Sequence, residues 1–463
     1  MKPMKSTMTA LNAPGSEAPR RKTAEAQPFS VSSAAGRVRR GGVVAFFVYS
    51  VGYAVTYLSQ LVVARLIGAQ DYGIYAYVTA WATVLIYVST LGFDVALLRF
   101  VPVYRAKDAW GLMRGVVRYA RRSVAIVGSV LALASAGLFL AWQPDDALAV
   151  PFIIGFATVP VVALLRVQCT VLRASGAVVA ALAPDRIVRE GSLVVLVSIA
   201  TLVLGWQVSA QWALTAALVG AVTGLLLAYY AQRVHHPLPG GSLPPSYDTP
   251  AWRKAALPLM IAGATEVLIN RMGVIVLGWT DHTQEAGIYS LAFNVALLVT
   301  LPRVAVNTLF APAISSLHAA GDRQALQALV RRTAQWTLVA AAAIAAVIFV
   351  LADPLMSSFG AAYREGVAPL RVLLVAQVLA VGAGSQLYVM TMTGHERSAA
   401  VLLVAAASAN VVVSLMLVQF FGVVGAAIGS AGTLLAWNAM MALWIWRRLG
   451  LMPGLLCLRT SQA

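Results

Sequence analysis

The sequence predicts an all-α polytopic membrane protein with about twelve transmembrane helices. Three observations predict it: the composition, the length of the apolar runs and the alternating charge of the loops between them. Of its 463 residues, 60% are hydrophobic and only 11% are charged, and the mean hydropathy is +0.79. Soluble domains contain about 45–50% apolar and about 25% charged residues. This chain has too little polar surface for a water-soluble fold, which excludes an ordinary soluble enzyme.

The first 42 residues differ from the rest of the chain. Residues 1–42 are polar, basic and rich in proline, serine and alanine, which predicts a disordered cytoplasmic arm. The apolar run from Val43 starts too late, and is too long, for a cleavable signal peptide. Arg37, Arg39 and Arg40 are expected to hold the N-terminus in the cytoplasm, so this run is predicted to be a signal-anchor.

A bilayer span needs about 20 mostly apolar residues, and twelve segments meet this requirement. The predicted spans are 43–64, 72–97, 119–142, 148–171, 187–205, 209–231, 257–279, 287–312, 334–352, 366–391, 398–420 and 423–446. The first six form a predicted N-lobe at 43–231, and the last six form a predicted C-lobe at 257–446. A cytoplasmic linker at 232–256 joins the lobes, and a cytoplasmic tail occupies 447–463.

The loops alternate in charge along the chain. Most of the 34 lysines and arginines lie in the N-terminal arm, the linker, the tail and every second loop. The opposite loops carry acidic residues instead: Asp71, Asp145, Asp146, Asp281, Glu285 and Asp353. The positive-inside rule then places both termini in the cytoplasm of a multi-pass protein of the plasma (inner) membrane. The net charge of +17 therefore reflects topology. Nucleic-acid binding would need basic residues gathered on one soluble face.

An internal repeat divides the chain into two halves. The segment QDYGIY at 70–75 recurs as QEAGIY at 284–289, an offset of 214 residues. The same offset relates further residues without a gap: Asp108, Leu112, Arg118 and Ala120 recur as Asp322, Leu326, Arg332 and Ala334. Each of the two aspartates is predicted to cap the helix that follows it. Because six spans return the chain to the same side, the halves are parallel, and a substrate site is expected where they meet.

Several motifs resemble those of a known transporter family. ARLIGAQDYGIYA after span one and LGFDVALLRF at the end of span two resemble the N-terminal signature of the polysaccharide-transporter (Wzx-like) family. The resemblance continues in order over about residues 40–450, through INRMGVIVLG, AGIYSLAF, FAPAISSLHAAGD, FGAAYREG and FFGVVGAAIGS. Members of this family are lipid-linked oligosaccharide flippases of the MOP superfamily (multidrug, oligosaccharidyl-lipid and polysaccharide exporters). The resemblance implies an ion-driven antiporter whose two six-helix lobes form a V, with a central cavity lined chiefly by spans one, two, seven and eight.

Charges within the spans are the candidate site residues, because a charge near the bilayer centre costs about 2.5–3.5 kcal/mol or more. Arg271 in span seven and Arg303 in span eight lie near mid-span. The resemblance puts both on cavity-lining spans, and the planar guanidinium group suits a diphosphate, so we expect both to bind substrate. The alternative is a structural ion pair within or between the lobes.

Four further residues are weighed in the same way. Arg65 and Arg99 end cavity-lining spans where the family has arginine, so they are candidates for substrate binding, or else interfacial anchors. Glu266, near the middle of span seven, is the first candidate for ion coupling, since it could be protonated in one lobe arrangement and ionised beside an arginine in the other. Asp94 in span two is the second candidate. The alternative for Glu266 is that it only neutralises an arginine across the cavity.

No sequence feature predicts catalysis. The chain has no phosphate-binding loop, metal-ligand spacing or catalytic triad, and Cys169 and Cys457 predict no disulfide. Neither enzyme activity nor a cofactor is expected. The sequence instead predicts a flippase that carries an undecaprenyl-diphosphate-linked saccharide to the outer leaflet by alternating access. Its expected partners are that substrate, membrane lipids and the proteins of polysaccharide polymerisation and export, and no nucleic acid.

Two other functions stay open at this point. A multidrug exporter of the same superfamily that carries cations would favour acidic residues in the cavity, whereas the mid-span charges are two arginines and one glutamate. A membrane polymerase or ligase of polysaccharide would need a large outer loop with polar catalytic residues. The predicted outer connections are all short.

Overall fold

The computed structural model describes residues 31–142, 147–234, 244–304, 306–307, 314, 317, 321–452 and 454. This part of the chain is helical and contains no strand. Its helices are α1 (Val31–Ser89), α2 (Phe93–Ala106), α3 (Trp110–Trp142), α4 (Ala149–Ala174), α5 (Val178–Ala183), α6 (Arg189–Ser198), α7 (Ala210–Val234), α8 (Thr249–Trp279), α9 (Thr283–Ala296), α10 (Arg323–Val350), α11 (Ala352–Phe359), α12 (Val367–Gly382), α13 (Gln386–Met392) and α14 (Glu396–Leu449). Single π-helical turns follow α5 and α6, at Pro184–Val188 and Ile199–Val203.

The all-helical, multi-pass fold is confirmed. Nine helical stretches among the described residues are long and apolar enough to cross a membrane. Two of them, Ala54–Ala106 and Glu396–Leu449, contain 53 and 54 residues, far more than one crossing requires. The count of twelve spans stays a prediction.

Single glycines divide the two longest helices. Gly68 in α1 has φ 80° and ψ 171°, and Gly422 in α14 has φ 52° and ψ −130°, so both occupy the region that favours glycine. The Tyr72 hydroxyl donates a hydrogen bond to Gln60 Oε1 at 3.4 Å. Twelve residues of continuous helix would separate these two positions by about 18 Å. The chain therefore folds back at Gly68, and spans one and two form a helical hairpin.

The disordered arm at residues 1–42 stays a prediction, and the structure describes residues 31–42 of this segment as helical. Helix α1 begins at Val31, twelve residues before the first predicted span. A helix that is already nucleated by an apolar segment extends readily into polar residues beside it, because each added residue gains a hydrogen bond. The prediction for residues 1–30 lies outside the described residues.

The last part of the predicted linker, which spans 232–256, is helical. Helix α8 begins at Thr249, where the carboxylate of Asp248 caps it. The first turns of α8 pack into the N-lobe core, where Trp252 is fully buried and donates its indole N–H to the Tyr104 hydroxyl at 2.8 Å. This helix therefore contacts both lobes along its length.

One of the two predicted helix caps is confirmed. The Asp322 carboxylate accepts a hydrogen bond from the backbone N–H of Ala325 at 2.9 Å, at the start of α10. The prediction for Asp108 is wrong, because α3 begins only at Trp110 and Asp108 itself has φ 51°. Before α10, Gly321 supplies the equivalent left-handed residue, which leaves Asp322 free to act as the cap.

The two copies of the repeated motif meet where the lobes contact each other. Gly73 of α1 and Gly287 of α9 are separated by the repeat offset of 214 residues. A Cβ atom on Gly287 would lie 2.9 Å from the backbone of Gly73, and a Cβ atom on Gly73 would collide with the carbonyl oxygen of Thr283. Gln70 Nε2 also donates to Thr283 Oγ1 at 3.1 Å. Equivalent residues touch each other only near an axis that relates the two halves, as expected for parallel repeats.

An apolar core continues from this contact through both lobes. The largest buried cluster combines Ala64 of α1 with Leu277 of α8, Ile288 of α9 and Leu374 of α12. The Tyr363 hydroxyl crosses the same boundary and donates to the carbonyl oxygen of Ala64 at 3.4 Å. The lobes are thus packed tightly at the end of the bundle that is predicted to face outside.

We expect Gly73→Ala to lower the thermal unfolding temperature, Tm, of the detergent-purified protein. The new methyl group has to displace the Thr283 backbone, and such overpacking costs about 1–3 kcal/mol. Gly137→Ala on α3 is the matched control, because its methyl group enters open space and alanine favours a helix. A Tm for Gly73→Ala equal to that of the control would contradict the contact.

Candidate functional site

A cavity of about 160 Å³ lies between the lobes, next to the contact of α1 with α9. Its lining is polar for a membrane-spanning segment and includes hydroxyl and amide side chains: Gln60, Tyr75, Thr79, Thr83, Thr158 and Asn294. Asn294 Nδ2 of the C-lobe donates to Gln60 Oε1 of the N-lobe at 2.7 Å. Both halves therefore contribute hydrogen-bonding groups to one enclosed space.

A network of paired charges lies on the N-lobe side of this cavity. Arg189 pairs with Glu190 at 2.8 Å and with Asp185 at 3.4 Å, and the Ser59 hydroxyl donates to Glu190 at 3.1 Å. Arg186 also pairs with Asp185 at 3.8 Å, so the network contains two arginines and two carboxylates, and a separate pair joins Arg166 to Asp94 at 3.8 Å. Its charges balance, which limits the free-energy cost of burying them. Among the described residues no group of His, Cys, Asp and Glu side chains is placed to hold a metal ion.

Arg271 lines the same cavity without an acidic partner. No ion pair within the described part of the chain involves it. Its ionisable neighbours are tyrosines: Tyr72, Tyr75, Tyr87 and Tyr289. Because Arg189 and Glu190 offset each other, the half-buried Arg271 gives the cavity a net positive charge.

Arg303 and Glu266 lie together, apart from Arg271. Arg303 does not line the inter-lobe cavity, and its charge acts on Glu266 across a gap rather than in a direct ion pair. The Glu266 side chain is exposed, and it neither lines the inter-lobe cavity nor joins an ion pair among the described residues. The structure therefore separates the two arginines that the sequence predicts to bind one substrate.

The remaining predicted site residues lie outside the cavity lining. Arg65 and Arg99 are exposed, and neither lines the inter-lobe cavity. Asp94 accepts a hydrogen bond from the Thr90 hydroxyl at 3.1 Å and pairs with Arg166 at 3.8 Å. These contacts hold Asp94 within the N-lobe, and its role in ion coupling stays a prediction.

Sequence reasoning missed all four residues of the paired network, Asp185, Arg186, Arg189 and Glu190, and one further half-buried cation. It assigned Asp185 to a cytoplasmic loop that ends at Arg189, and it included Glu190 in span five (187–205) without considering it as a site residue. The helical run of α5, α6 and their π-helical turns instead brings Arg189 and Glu190 to the inter-lobe cavity. The four-residue spacing of Asp185 and Arg189 could have indicated a helical ion pair. Arg371, unremarked in span ten, stacks over the ring of Phe349 at 5.0 Å.

Comparisons with known proteins agree with this architecture. Residues 38–318 match a family described as polysaccharide biosynthesis protein, and no curated protein sequence matches the chain. The solved inward-facing conformation of a multidrug resistance MATE family transporter of the MOP superfamily is similar with a TM-score of 0.72 and 15% identity, over 89% of this chain and 96% of that chain. The outward-facing conformation of such a transporter is similar with a TM-score of 0.64 and 16% identity, over the same shares of both chains. A MOP superfamily transporter from Pyrococcus furiosus, whose binding pocket is described as reversed in polarity, is similar with a TM-score of 0.61 and 14% identity, again over the same shares of both chains.

The two kinds of buried charge should respond differently to substitution. We expect Glu190→Gln to lower the Tm, because it leaves Arg186 and Arg189 with the single carboxylate of Asp185, and breaking a buried pair costs about 3–5 kcal/mol. Arg271→Gln should leave the Tm unchanged or raise it, because it removes a buried charge that no carboxylate offsets. Thermal unfolding of both variants in the same detergent measures the difference. A larger loss for Arg271→Gln than for Glu190→Gln would show that Arg271 is a structural residue.

Proposed function

Because the chain belongs to the polysaccharide biosynthesis protein family and has the fold of MOP-superfamily transporters, we propose that it is a flippase for an undecaprenyl-diphosphate-linked oligosaccharide. The substrate moves from the cytoplasmic to the outer leaflet of the plasma membrane, for the synthesis of O-antigen, exopolysaccharide or capsule. Its polyprenyl chain stays in lipid while the head group crosses between the lobes. Both termini face the cytoplasm, and the proteins that polymerise or export the polysaccharide are its partners.

The observation that carries this proposal is the unpaired Arg271 in the cavity between the lobes. A guanidinium group donates two parallel hydrogen bonds to a phosphate, and such charge-assisted bonds are about twice as strong as neutral ones. The neighbouring side chains suit a sugar, since hydroxyl and amide groups of Thr79, Gln60 and Asn294 can donate and accept hydrogen bonds. A positive cavity with many hydrogen-bonding groups fits a diphosphate that carries a saccharide.

The size of the cavity supports alternating access. Sites for drug-sized ligands occupy about 300–1,000 Å³, whereas this cavity measures about 160 Å³. A diphosphate-linked saccharide can enter only when the lobes move apart. The contact of Gly73 with Gly287 lies at the end predicted to face outside, and closing that end is the arrangement of an inward-facing transporter. The greater similarity to an inward-facing relative than to an outward-facing one supports the same assignment.

Arg303 and Glu266 provide the second charged site on this route. Glu266 neutralises Arg303 when it is ionised and leaves it positive when it is protonated. A proton on Glu266 would therefore change the electrostatic attraction for a diphosphate near Arg303. In this scheme Glu266 couples the movement of protons to the movement of substrate.

A carrier of cationic drugs fits the cavity less well. Such a substrate needs an unpaired carboxylate, but the Glu190 carboxylate in the cavity lining is occupied by Arg189 and Ser59. Arg271 would repel a cation from the same space. The similarity to multidrug transporters concerns the fold alone.

We expect Arg271→Ala and Arg303→Ala to reduce polysaccharide export at least about tenfold, because each loses charge-assisted hydrogen bonds worth about 1.5–3 kcal/mol. The amount of polysaccharide at the cell surface is measured in a strain whose export depends on the protein expressed from a plasmid. Parent and variants are compared at equal protein levels. Lysine at either position should restore export in part, since it keeps the positive charge but cannot form the bidentate hydrogen bonds of a guanidinium group. Arg364→Ala removes an exposed arginine outside the cavity and is the control. Near-normal export from both alanine variants would overturn the proposal.

Glu266→Gln tests the coupling, because it keeps the shape of the side chain and removes its titration. In proteoliposomes, the parent protein should move substrate faster when a pH gradient is imposed. The Glu266→Gln protein should show the same rate with and without the gradient. Glu365→Gln, at an exposed position outside the cavity, should respond as the parent does. A normal response from Glu266→Gln would exclude Glu266 as the coupling residue.

A further inference from the structure

Each lobe has a basic pocket at the start of its third predicted span. In the C-lobe, the start of α10 and the residues just after α14 border an open pocket of about 870 Å³, lined by Arg323, Arg331 and Arg332. In the N-lobe, the start of α3 and the end of α7 border an open pocket of about 470 Å³. The arginines that line this second space are Arg114, Arg118, Arg121 and Arg122. Neither pocket includes any residue that lines the inter-lobe cavity.

The internal repeat relates the two pockets to each other. Helix α3 lines the N-lobe pocket with positions 114, 117, 118, 121, 122 and 125. The residues 214 positions later, at 328, 331, 332, 335, 336 and 339, all line the C-lobe pocket. Each pocket is also bordered by the end of the last helix of its lobe, at Tyr229 of α7 and at Gly450 after α14. A pocket that recurs at the same place in both halves belongs to the repeated architecture, rather than to an irregularity of one surface.

Both pockets lie at the level of the lipid head groups. The 20 residues of α3 that follow Arg122 carry no charge, and they extend about 30 Å, the thickness of the hydrocarbon core. The arginines of the N-lobe pocket therefore lie just outside the hydrocarbon, on the predicted cytoplasmic side. Trp336 marks the same level in α10, since its side chain is 67% exposed and tryptophan is enriched at membrane interfaces.

The positive charge of the pockets is not offset by carboxylates. Among the described residues, neither lining contains an acidic residue, and the ion pairs found there involve none of six of the lining arginines: Arg118, Arg121, Arg122, Arg323, Arg331 and Arg332. In the N-lobe pocket, Arg121 is fixed by a hydrogen bond to Gln232 and lies over the ring of Tyr229 at 5.1 Å. Its buried Nε finds no hydrogen-bond partner within the described residues. An anion bound beside these arginines would lower their mutual repulsion.

We propose that each pocket binds the head group of an anionic phospholipid. The arginines hold the phosphate, because guanidinium groups match its geometry, and basic pockets between transmembrane helices on the cytoplasmic side are suited to such head groups. Exposed apolar side chains continue from each pocket along the lipid-facing helix, and the acyl chains lie against them: Ile126, Val130 and Leu133 in α3, with Val339, Val347 and Val350 in α10. A soluble phosphate would leave this apolar face unused. The proposal is independent of the substrate that crosses between the lobes.

The test counts lipids bound to the purified full-length protein by native mass spectrometry, with phosphatidylglycerol as the probe. The parent protein should retain two molecules. Arg118→Gln/Arg122→Gln and Arg331→Gln/Arg332→Gln should each lose one, and the four substitutions together should lose both. Arg105→Gln/Lys107→Gln is the matched control, because it removes two exposed charges from the same side at positions that line neither pocket. This control should retain both lipids.

Three results would overturn the proposal. The glutamine variants could bind as many lipids as the parent, phosphatidylcholine could bind as well as phosphatidylglycerol, or excess inorganic phosphate could displace the lipid completely and so indicate a site for soluble anions. A second measurement uses the unmodified protein, so that it does not depend on the folding of any variant. Photoactivatable phosphatidylglycerol should label peptides within 114–133 and 323–350, and labelling confined to other helices would also overturn the proposal.

Discussion

A charged side chain can remain inside the membrane only where another charge or a water-filled space offsets its lost hydration. The N-lobe meets this constraint by pairing, with two arginines and two carboxylates in one connected network and a separate pair of Arg166 with Asp94. Arg271 meets it by facing the space between the lobes, among tyrosines and amides. The apolar contact of α1 with α8, α9 and α12 separates that space from one side of the membrane. Charge burial thus explains why a tight contact and a polar cavity occur side by side.

The two halves of the chain share backbone contacts and pockets at equivalent positions, but they differ in their buried charged residues. Gly73 and Gly287 are equivalent and touch, and the basic pockets of α3 and α10 coincide position by position. The buried charges do not repeat, because Leu403 and Val404 stand 214 positions after Arg189 and Glu190. A protein with two identical halves would have a symmetric cavity. Here the N-lobe supplies paired charges that sum to zero, and the C-lobe supplies the unpaired cation.

The sequence was sufficient for the features that depend on spacing along the chain. Apolar runs, loop charges and the repeat predicted helices, lobes and their parallel relation, because each is read directly from residue order. The same reasoning placed Asp185 in a cytoplasmic loop and gave Arg189 and Glu190 no role, because a charged run reveals its partners only after folding. It also grouped Arg271 with Arg303, although which face of a helix meets the cavity depends on how that helix is rotated against its neighbours. The rotation of a helix against its neighbours and the partners of its charged side chains are both set by tertiary packing. Residue order in a single sequence does not reveal them.

The burial of Trp252 has a consequence for the order in which the chain is assembled. This residue follows the last helix of the N-lobe, yet it completes the core of that lobe by packing against α2 and α3. The first six predicted spans therefore leave the ribosome with an open gap in their own core. Only the emergence of α8, which belongs mostly to the second half, fills that gap. The duplicated halves are consequently not independent folding units. The core of the first half can be completed only after the start of the second half has been synthesised.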